Sequence, residues 1–585
     1  TVMSGLRRRL LCVGFVAAVV PTLSFADCKL VSLELPVTMV GGRALVTVRI
    51  DDKPVKLALD SGAFYSMLTE AAAAELELPL DPLPPGRVMG VTGELKVRST
   101  RVKRLQLSAG EINNVEFLVG GNEPGRGAQG LLGRNLLGAT DTEYDLANGV
   151  VRLTVPNGVC AKDDLVYWAG TAPVSEIALR PASVTHPALV GMAKVNGRPV
   201  SALFDTGAMS VLTLATAEGL GLSDAHMRKI GQVYGAGKGA ASAWIGRVES
   251  FEIGDERVGP SDLVVADFKF TEADMLLGID FFLSHRVYVS KQRSRMYFTY
   301  NGGPIFAMDM AAKVALASPV GDPSASVALP SAAAYSRRGA ATASRGDLAG
   351  ALRDFDRACE LEPEVASHYT QRSAVLVALK RFDAALGDLE MALKLEPGDA
   401  DARLRRALVL EVRKDLEGAL ADVQVLDNTI SPQSHIRLAM ARLYLRHQQF
   451  EQALPQLNQW ITAHGSEARL DVALNARCWA KAMLNIDLDA ALEDCNAAVE
   501  SQPANISYLD SRAWVQIRRA RYRDAMNDFQ RAAKVGSLPA WSLYGRGITR
   551  YRLGDQEGGQ ADIDAARKAL PLIDADAARR GITVM

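Results

Sequence analysis

The sequence predicts a multidomain protein with a mainly β, internally duplicated first half and an all-α second half of stacked helical repeats. Three observations carry this expectation. An Asp-Ser/Thr-Gly-Ala tetrapeptide occurs twice, at Asp60 and Asp205, each followed at one interval by two aliphatic residues and Gly. Short alternating runs such as Leu45-Val46-Thr47-Val48-Arg49-Ile50 give the period-two pattern of half-buried strands over about 30–300. Beyond 331, small residues at 351, 385, 419, 453, 491, 525 and 559 recur every 34 residues, with one step of 38.

At 585 residues the chain is too long for one core, and about 150 residues per domain gives roughly four core-sized units. The balance of 66 basic and 67 acidic residues, net −1, gives no electrostatic reason for a nucleic-acid partner.

The N-terminus reads Leu6-Arg7-Arg8-Arg9, an apolar run from Leu10 to Val20, then Ser24-Phe25-Ala26. This is the pattern of a secretory signal peptide over 1–26, cleaved after Ala26. The run is too short for a hydrocarbon core of about 30 Å, which needs about 20 helical residues. Asp27 stands before Cys28 where a lipoprotein signal carries a small residue, so no lipid anchor is expected. The expected location is outside the cytoplasm, periplasmic or secreted, with no integral membrane span after cleavage.

Cleavage would leave Cys28, Cys160, Cys359, Cys478 and Cys495 in an oxidising compartment. Cys28 and Cys160 bracket the first duplicated unit and are expected to pair. Cys478 and Cys495 fall on facing helices of one repeat, where burial as thiols and bonding are both open. No C-x-x-C or H-E-x-x-H occurs and the seven histidines are scattered, so neither a metal nor a cofactor is expected.

The duplicated units are placed at 30–158 and 172–300. From 301 to 331 the composition turns to Ala, Ser, Pro and Gly, with no amphipathic period, and reads as a linker. Over 332–580, Gly339, Ala351, Phe355, Ala358 and Pro363 are answered by Ser373, Ala385, Leu389, Ala392 and Pro397. The small residues let paired helices approach, and each proline stops the second helix. This pattern resembles tetratricopeptide repeats, about seven of them. The resemblance implies a superhelix whose concave face binds a peptide or protein, folding independently from about 332.

Chemistry is expected in the first half. Lys56-Leu57-Ala58-Leu59-Asp60-Ser61-Gly62-Ala63 precedes Gly130-Leu131-Leu132-Gly133, and Ser201-Ala202-Leu203-Phe204-Asp205-Thr206-Gly207-Ala208 precedes Met275-Leu276-Leu277-Gly278. Aspartate and distal glycine are 73 residues apart in both (133 − 60 and 278 − 205). Ser66-Met67-Leu68-Thr69 mirrors Ser210-Val211-Leu212-Thr213, and Pro54 and Pro199 each stand six residues before their aspartate. An internal duplication explains these matches.

The pattern resembles the lobes of retropepsin-like aspartic peptidases and implies their all-β, double-lobe acid-protease fold. By that resemblance Asp60 and Asp205 are the catalytic pair, supported by Ser61, Gly62, Thr206 and Gly207. Two carboxyls about 3 Å apart cannot both ionise, so they divide into base and acid. Flap hairpins are expected at Val88–Gly93, with Gly90 and Gly93, and at Val233–Gly239, with Tyr234, Gly235 and Gly237. Retroviral members carry acidic residues after Asp-Thr-Gly-Ala that pair with an arginine after the distal glycine. Here Phe64-Tyr65 and Met209-Ser210 stand there and only Arg134 survives, which favours a single-chain pseudo-dimer. The expected function is an exported aspartic endopeptidase acting on proteins or peptides through a water activated between Asp60 and Asp205. Its repeats would recruit substrate or partner. The competing expectation is a catalytically silent envelope scaffold that binds proteins.

Overall fold

A computed structural model describes residues 28–83, 88–90, 93–121, 127–181, 188–222, 227–234, 240–268, 273–306, 329–467 and 469–584. Strands Arg43–Ile50 and Lys53–Leu59 are joined at Asp51-Asp52, both left-handed (φ 46° and 70°). Their counterparts Val190–Val195 and Arg198–Phe204 turn at Asn196-Gly197 (φ 51° and 73°). Two positive φ values match the twist of the flanking strands, and Asp, Asn and Gly tolerate them at least cost.

Each aspartate directly follows the second strand of its hairpin. Lys53–Leu59 lies parallel to Gly130–Leu132, and Arg198–Phe204 lies parallel to Met275–Leu277. On the other side of these short strands run Met67–Leu68 and Val211–Thr213, antiparallel to them. Thr69 and Thr213 then cap helices Glu70–Glu75 and Leu214–Gly219, accepting from the amides of Ala72 and Thr216. The sequence duplication is therefore a duplication of topology.

Six strands from both units lie side by side in one twelve-stranded sheet, in the order Ser175–Ala178, Arg295–Tyr300, His285–Ser290, Asp141–Asp145, Val150–Asn157, Lys29–Val40. Glu143, buried in this sheet, accepts from Arg152 at 2.7 Å, from Arg286 at 2.6 Å and from the Tyr167 hydroxyl at 3.0 Å. With its lone pairs so engaged the buried carboxylate is sustainable. A Cys28–Cys160 disulfide, with Cα atoms 4.6 Å apart, ties the start of one strand to the segment following its partner.

Seven helix pairs follow. They are Ala332–Ser344 with Leu348–Leu361, Ala366–Ala378 with Phe382–Leu395, Ala400–Val412 with Leu416–Thr429, and Ile436–Arg446 with Phe450–Ala463. Next come Leu470–Leu484 with Leu488–Ser501, Ile506–Arg518 with Tyr522–Val535, and Ala540–Arg552 with Gln556–Ala569. A short helix Ile573–Ala578 closes the array. The periodic small residues Ala351, Ala385, Ala419, Ala453, Ala491 and Ala525 are fully buried between paired helices. Cys478 and Cys495 form a disulfide across one pair, and Cys359 is a buried thiol. Among the described residues no helix is long and apolar enough to cross a membrane.

The separation of the two halves differs from the expectation. Ile305 and Phe306, placed in the linker, are buried, and the Phe306 ring lies 5.0 Å from that of Phe251. Residues 307–328 of the linker and the signal segment 1–26 lie outside the described residues. Ala340, Ala341, Ala351 and Phe355 of the first repeat share one hydrophobic cluster with the strands of the β half. The reason is geometric, since the first repeat of an array has no preceding repeat to cover its outer apolar face. Lobe strands cover it here. The array also touches the first lobe further on, through Ser466 to Glu70 at 3.0 Å and Lys56 to Asp401 at 3.9 Å.

Candidate active site

The two aspartate loops meet between the lobes. The Thr206 hydroxyl accepts from the Ser61 amide at 3.0 Å and donates to the Leu59 carbonyl at 3.0 Å. Symmetrically, the Ser61 hydroxyl accepts from the Thr206 amide at 2.9 Å and donates to the Phe204 carbonyl at 3.0 Å. Both side chains are buried, so these four bonds cross the interface away from water and fix one loop against the other.

The glycines make the approach possible. A Cβ on Gly62 would sit 2.5 Å from Cγ of Asp205, and one on Gly207 would sit 2.5 Å from Cγ of Asp60. The Gly62 amide donates to Oδ1 of Asp60 at 3.0 Å and to Oδ1 of Asp205 at 3.2 Å. One N–H shared by two carboxylates places their oxygens side by side. Ala63 donates to Asp60 at 2.6 Å and Gly207 to Asp205 at 2.7 Å.

Burial, then the Asp60 charge beside it, holds Asp205 well above the ordinary carboxylate range, and hydrogen bonding between the two carboxyls adds to the rise. The Gly207 amide and the Arg43 charge pull the other way. One carboxyl of the pair therefore carries a proton under conditions where isolated carboxyls are ionised. Beneath the pair, the buried Tyr144 hydroxyl is pushed up, mainly by burial and further by both aspartates.

Leu132 and Leu277 are buried under the loops, and their carbonyls accept from the Asp60 amide at 3.1 Å and the Asp205 amide at 2.9 Å. Two polar braces escaped the sequence reading. Ser66 donates its amide and hydroxyl to Asn135 and accepts from Gly133, and Ser210 does the same with Asp280 and Gly278. Asn135 and Asp280 lie at the same offset from their aspartates (135 − 60 and 280 − 205, both 75), a signal the duplication already contained.

In the first lobe Val88–Gly90 and Gly93–Leu95 form a two-stranded hairpin in which Gly90 pairs with Gly93. In the second, Met227–Tyr234 pairs with Ala240–Val248, Tyr234 opposite Ala240. Gly235 and Gly237 lie outside the described residues.

Residues 46–136 and 191–281 both match the family model described as aspartyl protease. Residues 46–281 form an aspartyl-protease region of two lobes. The tetratricopeptide-repeat family model matches residues 373–435, within the helical array that follows this region. No curated protein matches the chain. Among solved structures, a tetratricopeptide-repeat protein of Parabacteroides merdae is 15% identical with a TM-score of 0.31, over 42% of this chain and 97% of its own. YrrB, described as a TPR protein with an unusual peptide-binding site, is 18% identical with a TM-score of 0.29, over 33% and 97%. Pseudomonas aeruginosa pilF is 15% identical with a TM-score of 0.29, over 36% and 93%. In the aspartyl-protease region both lobes bring their Asp-Ser/Thr-Gly-Ala loops to a single centre, while Cys28 and Cys160 pair at its edge.

Proposed function

We propose that this protein is an exported aspartic endopeptidase with one active site per chain. The observation that carries the reading is the shared Gly62 amide, which sets Asp60 and Asp205 against each other as one proton-sharing unit. In the reaction, the ionised carboxylate takes a proton from a water as that water adds to the scissile carbonyl. The protonated carboxyl gives its proton to the carbonyl oxygen. Collapse of the tetrahedral diol, with protonation of the amide nitrogen, releases both fragments. The paired cysteines support an oxidising, extracytoplasmic location. The helical array is proposed to recruit a protein substrate or partner.

The test is turnover of an unfolded protein or reporter peptide by wild type, Asp60→Asn, Asp205→Asn and an equimolar mixture of the two variants. Either substitution should abolish activity, because one carboxyl cannot serve as base and acid together. Wild-type specific activity should survive dilution. Activity in a single variant, or rescue on mixing, would move the site to an interface between chains. An inert wild type would leave a protein-binding scaffold.

A further inference from the structure

Arg134 follows the distal glycine of the first lobe, and the Nη1 of its guanidinium is shut away from solvent without a hydrogen-bond partner. Its charge is disfavoured by burial, and Tyr144 is the group that most offsets this. The side chain folds over Gly138 into a small pocket between the first lobe, the second lobe and the hairpin turn after Ser290. Two further cations line that pocket, Arg180 and Lys291, both exposed, and among the described residues no carboxylate does. The hydroxyls of Tyr144, Ser290 and Ser294 also line it and, among the described residues, have no hydrogen-bond partner. Asp141, adjoining the pocket, is already engaged by the Tyr288 hydroxyl at 3.0 Å and the Lys291 amide at 2.8 Å.

A guanidinium nitrogen withdrawn from water is costly unless an acceptor meets it, and a negatively charged acceptor meets it best. Three cations and three hydroxyls converge here without a carboxylate among the described residues, the Lys291 ammonium donating to the Ala139 carbonyl at 3.1 Å, so the pocket's donors suit an anion better than a neutral ligand. We propose that this pocket binds a small polyvalent oxyanion of the phosphate or sulfate type. Arg134 grips it from the floor, and Arg180 and Lys291 close over it from the rim. The site shares Tyr144 with the floor of the aspartate pair but includes neither aspartate, and its existence does not depend on peptidase activity.

Thermal unfolding of the full chain against inorganic phosphate in the low millimolar range, with ionic strength held constant by chloride, reads the site directly. Wild type should show a saturable rise in Tm, because a ligand of the native state stabilises by mass action. Arg134→Met, which keeps length and loses charge, should remove the phosphate dependence while melting no lower than wild type in phosphate-free buffer. Arg180→Gln with Lys291→Gln changes only exposed groups and should raise the half-saturating phosphate by about tenfold or more. Equal increments in wild type and the variants would overturn the site, since they would report only general exclusion of phosphate from protein surfaces. An equal response to acetate would overturn the assignment to a polyvalent anion. If Arg134→Met does not fold, the rim variant decides alone.

Discussion

Asp205 is held above the ordinary carboxylate range by burial and by Asp60, so its linkage to stability has a definite sign. A raised native pKa means that the folded chain binds the proton more tightly than the unfolded one. The resulting stabilisation is fully present below the unfolded value, near 3.8, and is lost as pH rises through the native value. Asp205→Asn keeps the shape and removes the charge. It should therefore abolish turnover yet raise the melting temperature of the β half at pH 7. Near pH 3 the two proteins should melt together. Calorimetry across pH 3–8 checks this, and a variant less stable than wild type at pH 7 would contradict it. At this scale the sequence was informative because Asp, Ser/Thr and Gly are fixed by local chemistry repeated at one spacing. Arg43, whose charge acts on Asp205, carried no such mark, since its approach depends on how a hairpin folds across the lobe.

Six helix pairs in the array are joined by a bidentate ion pair, buried in the first and half-buried in the others, that the repeat pattern did not announce. Arg338 meets Asp354, Arg372 meets Asp388, Arg406 meets Asp422, Arg477 meets Asp494, Arg512 meets Asp528 and Arg546 meets Asp562, all within 2.6–2.8 Å. Several of these arginines also reach the second helix of the preceding repeat, as Arg372 does to Asp356 and Arg512 to Asn496. The fourth repeat departs, with Arg437 donating to Gln456 instead. Asp388→Ala would leave the half-buried Arg372 guanidinium with Asp356 as its remaining carboxylate and should cost about 1–3 kcal/mol, whereas Arg372→Met with Asp388→Leu should cost less. Because stacking is nearest-neighbour, hydrogen exchange in the full chain should accelerate in the second repeat and its neighbours and leave 506–569 protected. Uniform acceleration along the array would count against it. The helices themselves were legible from the small residues and prolines. The clamp was missed although each arginine of the first two repeats directly precedes a quoted small residue, Gly339 or Ser373, because a charged residue on a helix reads as solvated until its partner is located.

The whole molecule is more continuous than a tether of two domains. Its C-terminus returns across the array, with Arg518 donating to the Arg580 carbonyl at 2.7 Å, Gln448 to Asp576 at 3.3 Å, and the Arg580 guanidinium lying 5.4 Å from the Trp541 ring. At the other end the first repeat completes the β core, and Gly149 packs directly against it. It is left-handed (φ +66°), and a Cβ there would lie 2.5 Å from Cβ of Arg337 in the first repeat and 2.7 Å from the Val37 carbonyl. No local pattern discloses such a contact, because 188 residues separate Gly149 from Arg337 (337 − 149). Gly197 supplies the control, being left-handed at φ +73° with nothing within 4 Å of its Cβ position. Alanine at either glycine brings a left-handed penalty of about 1–2 kcal/mol. Only Gly149→Ala adds a clash across the junction, so it should destabilise the chain further than Gly197→Ala. If the halves share a core, the loss should reach both, lowering the transition seen by helical circular dichroism together with that seen by the β-half tryptophans, Trp168 and Trp244. Equal effects of the two substitutions, or a loss confined to one half, would return the repeats to the independent unit that the sequence alone suggests.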